Sequence, residues 1–254
     1  MTEAPADSAG PSTTPVWQPV TRVRSHDLVV EAVENQILGG VLRVGDPLPP
    51  ERELASRLQV SRAGVREAIR VLESQGVVRS NVGAGREAGT FIAAMPSAAL
   101  TRFLRLHVAL SNFPMHDIID ARVMLERNSV AMAAARSDDA MLATLRAPLT
   151  VMDQVGLDCE PFNDADTAFH VAIAEASGNR LVADMTVAIR ASLREPILRA
   201  MRDVADWPGL ARRLQSEHHG IFDAIADGDG DRAADLTETH IRGAVDAMPA
   251  LHDK

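Results

Sequence analysis

The residues best suited to chemistry are an aspartate and three histidines that occupy positions where apolar side chains are expected. In "FNDADTAFHVAIAEASGN" Asp166 and His170 stand four residues apart, so on an α-helix they project side by side, separated by roughly 40° and 6 Å. Phe169 and Ile173 flank them on the same inward face. An ionised carboxylate there is costly unless it meets a cation or strong donors, and a divalent metal meets that need if other helices bring further ligands. Two segments offer them. In "SEHHGIFDAIADG" His218 lies on the stripe of Ile221, Phe222 and Ile225, whereas His219 shares its side with Asp223; in "ADLTETHIRGAVDA" His240 follows Leu236 by four and precedes Ala244 by four. Each histidine taken singly reads first as a hydrogen-bonded core residue. Together, one carboxylate and three imidazoles converge from three helices. Three nitrogens with one or two oxygens suit Zn2+ first and Ni2+ or Mn2+ next, and leave coordination positions that a small organic acid could fill.

The same donors admit two other readings. One is a metalloenzyme in which the metal activates water and Glu217, beside His218, acts as base; neighbours on a helix diverge by about 100°, which counts against it. The other is a metal that is purely structural. The dipeptides His26-Asp27, His116-Asp117 and His252-Asp253 are too widely separated along the chain to suggest one phosphohydrolase site.

A second chemistry lies in arginine. The whole chain carries a net charge of −9, yet residues 52–86 hold seven arginines against three glutamates, while residues 96–254 hold sixteen bases against twenty-four acids. "ERELASRL", the short turn "QVS" and "RAGVREAIRVLESQG" form helix, turn and helix, with Val65, Ala68, Ile69 and Leu72 on the inner side of the second helix. Arg62 and Arg66, four apart, share its outer face. That arrangement docks into a DNA major groove, where a planar guanidinium can span guanine O6 and N7 or grip a phosphate. "GAGREAG" imitates a dinucleotide-binding loop, but Gly89 leads into "TFIA" and Pro96 rather than into a helix, so it reads as the tip of a hairpin formed by "VVRS" and "GTFIA".

The elements that must position these residues divide the chain of 254 residues. Residues 1–20, rich in Pro, Ala, Ser and Thr, read as a disordered tail. Residues 21–95 read as a DNA-binding domain: a helix near 28–38, a break at "GGVLRVGDPLPP", the two arginine-bearing helices and the hairpin. Residues 96–254 read as all-helical, with seven stretches near 98–111, 114–136, 138–155, 161–177, 179–203, 209–228 and 230–248. The fold class is therefore mostly α, with a small β-wing. One cysteine, Cys159, excludes an intramolecular disulfide and a four-cysteine zinc site; with no apolar run of membrane-spanning length, a cytoplasmic protein with no membrane partner is expected.

"LPPERELASRLQVSRAGVREAIRVLESQGVV" resembles the winged helix-turn-helix of GntR-family transcription regulators. The resemblance implies DNA contact by Arg52, Ser61, Arg62 and Arg66, with Ala63 and Gly64 facing the duplex and Gly83 at the wing tip; Arg86, in the same hairpin tip, reads as a phosphate or minor-groove contact. The chain departs from the family pattern at Pro50, where a capping serine is usual, and at Gly64, where a Thr or Pro is usual. "RVMLE", "DTAFHVAIAEASGNRLV" and "EHHGIFDAIADGD" make residues 98–248 similar to the metal-binding variant of the FCD effector domain in the FadR branch of that family. That likeness implies Asp166, His170, His218 and His240 as metal ligands and Arg122 as a residue that holds a carboxylate effector. Locally Arg122 and Glu126 are also an i, i+4 helix pair, and Asn179 could line the pocket or cap a helix. The expectation is a homodimeric regulator, in the sense of a repressor, that grips a two-fold operator in double-stranded DNA and answers to a small carboxylate effector.

Overall fold

The computed structural model describes residues 24–81, 88–94 and 97–251; the tail at 1–20, Gly83, Arg86 and His252-Asp253 lie outside them. The chain divides into two compact units, one running to Ala93 and the other from Ala94.

In the first unit α1 (Ser25–Leu38), α2 (Glu51–Arg57) and α3 (Arg62–Ser74) bury Val29, Val33, Leu54, Ala55, Val65, Ala68, Ile69 and Leu72 in a common core. Pro50 precedes α2 at φ −52° and gives no side-chain cap, so its carbonyl alone opens the helix, accepting from Glu53 and Leu54. Ser61 caps α3: its Oγ accepts from the Gly64 amide at 3.1 Å. Between α2 and α3 Gln59 adopts φ 53°, a left-handed conformation that costs a non-glycine residue about 1–2 kcal/mol. Strands β1 (Val78–Asn81) and β2 (Gly89–Ile92) pair antiparallel, with Val78 opposite Ile92 and Asn81 opposite Gly89. Residues 45–48 carry no strand signal, yet they line the other edge of β2: Leu48 N donates to Thr90 O at 2.7 Å and Ile92 N to Asp46 O at 2.9 Å. Gly45, Pro47 and Pro49 conceal this edge, because proline is tolerated only where no ladder hydrogen is required.

The second unit is all-helical in its described residues, and its seven α-helices agree with the sequence reading: α4 (Ser97–Ala109), α5 (Met115–Ala134), α6 (Asp139–Met152), α7 (Cys159–Ala176), α8 (Arg180–Arg202), α9 (Trp207–Ala226) and α10 (Gly230–Asp246). Asp138, Asn179, Asp206 and Asp229 cap α6, α8, α9 and α10 through side-chain oxygens. Two starts lie earlier than the breakers suggested, since α7 takes in Pro161 and α9 takes in Pro208: a first turn has no partner for those amides, so proline does no harm there. Phe162 and Phe169 of α7 are fully buried with Leu145, Met152, Leu214, Ile221 and Ile225, making α7 the central rod of the core.

Because the two cores are separate, damage to one should stay local. Leu72→Ala is expected to lower hydrogen-exchange protection in α1 and α3 by about 2–5 kcal/mol while leaving α7 unchanged. Gln59→Gly, which relieves the left-handed turn, should leave that protection equal or higher.

Candidate functional site

The arginine face is built by α2 and α3. Arg52, Ser61, Arg62, Ala63 and Arg66 are exposed. Arg52 and Arg62 make no ion pair among the described residues, whereas Arg66 reaches back to α2, with Nη2 at 3.0 Å from Glu51 Oε2. The hydrogen bond from Arg66 lowers the Glu51 carboxyl below its ordinary value, so an anion approaching Arg66 competes with a resident carboxylate. Gly64 is half-buried, and a Cβ there would lie 2.9 Å from Ser25 Cβ at the start of α1. The close crossing of α1 and α3 is a steric reason for glycine at this position.

The polar cluster in the second unit is set by α7, α9 and α10. Asp166, His170, His218 and His240 each offer a ligand atom, and these atoms lie within 4.8 Å of one another. All four residues are buried, His218 completely. Asp166 Oδ1 stands 2.9 Å from His218 Nε2, 3.7 Å from His240 Nε2 and 3.8 Å from His170 Nε2. His170 Nε2 and His218 Nδ1 are buried with no hydrogen-bond partner. An apolar core does not leave imidazole nitrogens unsatisfied without cost. One oxygen and three nitrogens of this kind, with orphaned lone-pair positions, match the donor chemistry of a divalent transition metal.

Around this cluster lies a layer of charge that sequence reasoning did not place. Glu126 of α5 is buried; its Oε2 is 2.7 Å from His170 Nδ1, and its Oε1 accepts from Arg122 Nε at 2.8 Å. Arg190 of α8, also buried, donates to both Glu126 oxygens at 2.8 and 2.7 Å and to Asp166 Oδ2 at 2.8 Å. Glu217, at the partly exposed edge, has Oε2 2.8 Å from His240 Nδ1 and Oε1 3.3 Å from Arg213. Burial by itself would raise the carboxyls of Asp166 and Glu126, but the Arg190 guanidinium and the other donors outweigh it and hold both well below the usual range. Burial, with the Arg190 charge added, pushes His170 down to about 3, so its ring is neutral at physiological pH. Burial and the neighbouring His240 also lower His218, whereas hydrogen bonds to Asp166 and Glu217 overcome burial and raise His240.

The four residues read from the sequence as metal ligands are therefore brought together. Arg122 is buried beside them, paired to Glu126; among the described residues its terminal amino groups make no hydrogen bond. Asn179 is exposed, and its Oδ1 accepts from Val182 N at 3.3 Å, which is the capping role. His26 falls in the first unit and His116 in the second, each beside its own aspartate. Glu217, considered as a base for a hydrolytic reaction, instead supports His240. Arg190 was missed because "RASLREPILR" carries several arginines of which only contacts from α5 and α7 single out one; Glu126 was named only as the local partner of Arg122.

With that geometry established, likeness to known proteins bears on identity. Residues 117–243 match the FCD domain and residues 26–87 match the bacterial regulatory proteins of the gntR family. The chain is 29% identical over 222 residues to the HTH-type transcriptional regulator LutR of Bacillus subtilis, spanning 86% of this chain and 98% of that protein. It is 28% identical over 243 residues to the HTH-type transcriptional repressor NanR of Cronobacter sakazakii, spanning 93% of this chain and 90% of that one. The solved structure of a Streptococcus agalactiae GntR protein shares the fold, with a TM-score of 0.59 at 23% identity, over 87% of this chain and 98% of that chain. With a gntR-family match over its helix-turn-helix and an FCD match over its helical unit, the chain belongs to the GntR family of DNA-binding transcription regulators, with an FCD domain as its C-terminal unit.

Proposed function

We propose that this regulator binds one divalent metal ion per protomer, Zn2+ by preference, on Asp166, His170, His218 and His240, and that a small organic acid bound there controls its grip on DNA. The observation that carries the reading is the convergence of the four donors within 4.8 Å in a buried site that also holds unpartnered imidazole nitrogens. When bound, the metal supplies Lewis acidity and open coordination positions for an anionic ligand. The protein's own residues do the rest. Arg122 offers its unengaged terminal amino groups to a carboxylate, as guanidinium geometry favours. Glu126 and Glu217 hold the rings of His170 and His240.

On the DNA side, Arg52, Arg62 and Arg66 present charge from α2 and α3, Ser61 fixes the start of α3, and Gly83 and Arg86, outside the described residues, keep the wing-contact role read from the sequence. A homodimer would set two such units on a two-fold operator in the cytoplasm, where the DNA is. Effector binding can alter operator affinity only if the acid binds two arrangements of the dimer unequally, through the junction near residues 94–98. For the sense of regulation we take repression, the activity named for the NanR relative. The hydrolytic alternative is disfavoured because Glu217, its base, is engaged by His240 and Arg213.

Three measurements check this. On a genomic fragment recovered by selection, anisotropy titrations should show Arg62→Ala and Arg66→Ala each weakening binding by about 1–3 kcal/mol where a base is read, or lowering the salt slope by about one where only a phosphate is held. Chelation should strip one metal per protomer, by elemental analysis, and change operator affinity while helix ellipticity persists; collapse of the ellipticity would make the metal structural instead. A thermal-shift screen of small organic acids should find a stabilising carboxylate in the wild type, and that shift should be lost in Arg122→Ala.

A further inference from the structure

We infer that Glu126 and Arg190 are the positioning pair of the candidate metal centre, fixing which atoms of His170 and Asp166 face the cluster. Neither belongs to the four-residue donor group, and they come from α5 and α8, helices that supply none of the four donors. The inference rests on the metal reading above.

The argument begins with what a carboxylate can do. Ionised, it accepts hydrogen bonds and donates none. Glu126 Oε2 lies 2.7 Å from His170 Nδ1, which places the ring hydrogen on Nδ1 and leaves Nε2 to offer its lone pair to the cluster. The lack of any hydrogen-bond partner at His170 Nε2 agrees with that assignment. Without Glu126 either ring nitrogen could carry the hydrogen, and a ring with its hydrogen on Nε2 presents no donor pair.

Arg190 acts on the other ligand of the same helix. Its Nε and Nη2 span both oxygens of Glu126, and its Nη1 takes Asp166 Oδ2 at 2.8 Å. Asp166 Oδ2 is thereby occupied, and Oδ1 is the oxygen that faces the three imidazoles at 2.9, 3.7 and 3.8 Å. A planar fork with separated donors can bridge two carboxylates in this way, whereas a lysine ammonium, a single point of charge, cannot reproduce the span. His240 provides an internal contrast, since its Nδ1 is held by Glu217, which Arg190 does not touch.

The test is a Co2+ titration of the metal-free full-length protein, followed by visible absorption, with ring 1H–15N spectra of the same metal-free sample. Wild type is expected to take up one Co2+ per protomer; Glu126→Gln and Arg190→Lys should each bind it about 10–100-fold more weakly and with a displaced absorption band. Should Glu126→Gln match wild type in affinity and spectrum, with only its melting temperature reduced, the pair is structural and the inference is overturned. The ring spectra decide the matter even where a variant does not fold: hydrogen on Nδ1 of His170 supports the inference, and hydrogen on Nε2 overturns it. Failure of the wild type to bind Co2+ removes the metal reading itself, a result distinct from either outcome for Glu126.

Discussion

Moving an ionised carboxylate from water into a protein interior costs several kcal/mol even after relaxation, and only a full set of opposing charges and donors offsets it. Asp166 and Glu126 both face that cost in the second unit, and Arg190 meets it for both at once. Two arginines stand against two carboxylates in the buried layer, and burial keeps His170 and His218 neutral, while Asp166 and Glu217 favour the charged form of His240. Neutral rings are what a coordination site requires, and they also pack as apolar plates: Phe169 meets His170 and His218 edge-on at 5.4 and 5.3 Å between ring centres. The core and the cluster are thus one construction, with α7 contributing Phe162, Phe169 and Ile173 to the first and Asp166 and His170 to the second.

Much of this could be read from residue order. Asp166 and His170 announce themselves because i, i+4 spacing on an otherwise apolar helix fixes their common direction, and His218 and His240 do so because each sits on the stripe of its own helix. The winged helix-turn-helix was legible for the same reason, since local periodicity and turn residues determine it. What could not be read was which charged residues are interior. Arg190 has charged neighbours at Arg194 and Arg199 on a helix whose periodicity leaves its inner face broad, and its partners lie 24 and 64 residues away in sequence. Glu126 had a satisfactory partner four residues earlier, so nothing local called for His170 or Arg190. The segment 45–48 beside β2 was hidden because prolines remove strand signal where a strand edge can tolerate them.

The two units keep their charge differently. In the first, arginines stay in water, and pairs such as Arg70 with Glu67 at 3.2 Å contribute little beyond holding side chains in register. In the second, the guanidinium groups that matter are dry and their geometry is fixed. Salt should therefore act strongly on the basic face and weakly on the buried cluster. The chain thus joins a surface tuned to its ionic surroundings to an interior insulated from them.

The contact between Gly64 and Ser25 has a consequence for how such a protein can change its target. A residue at the third position of a recognition helix would ordinarily be a free variable, open to any side chain that alters base preference. Here a Cβ alone would lie 2.9 Å from Ser25 Cβ, so a larger residue needs the start of the first helix to give way. Change at position 64 is thereby tied to the residue at position 25, whereas Arg62 and Ala63, both exposed, can vary without it.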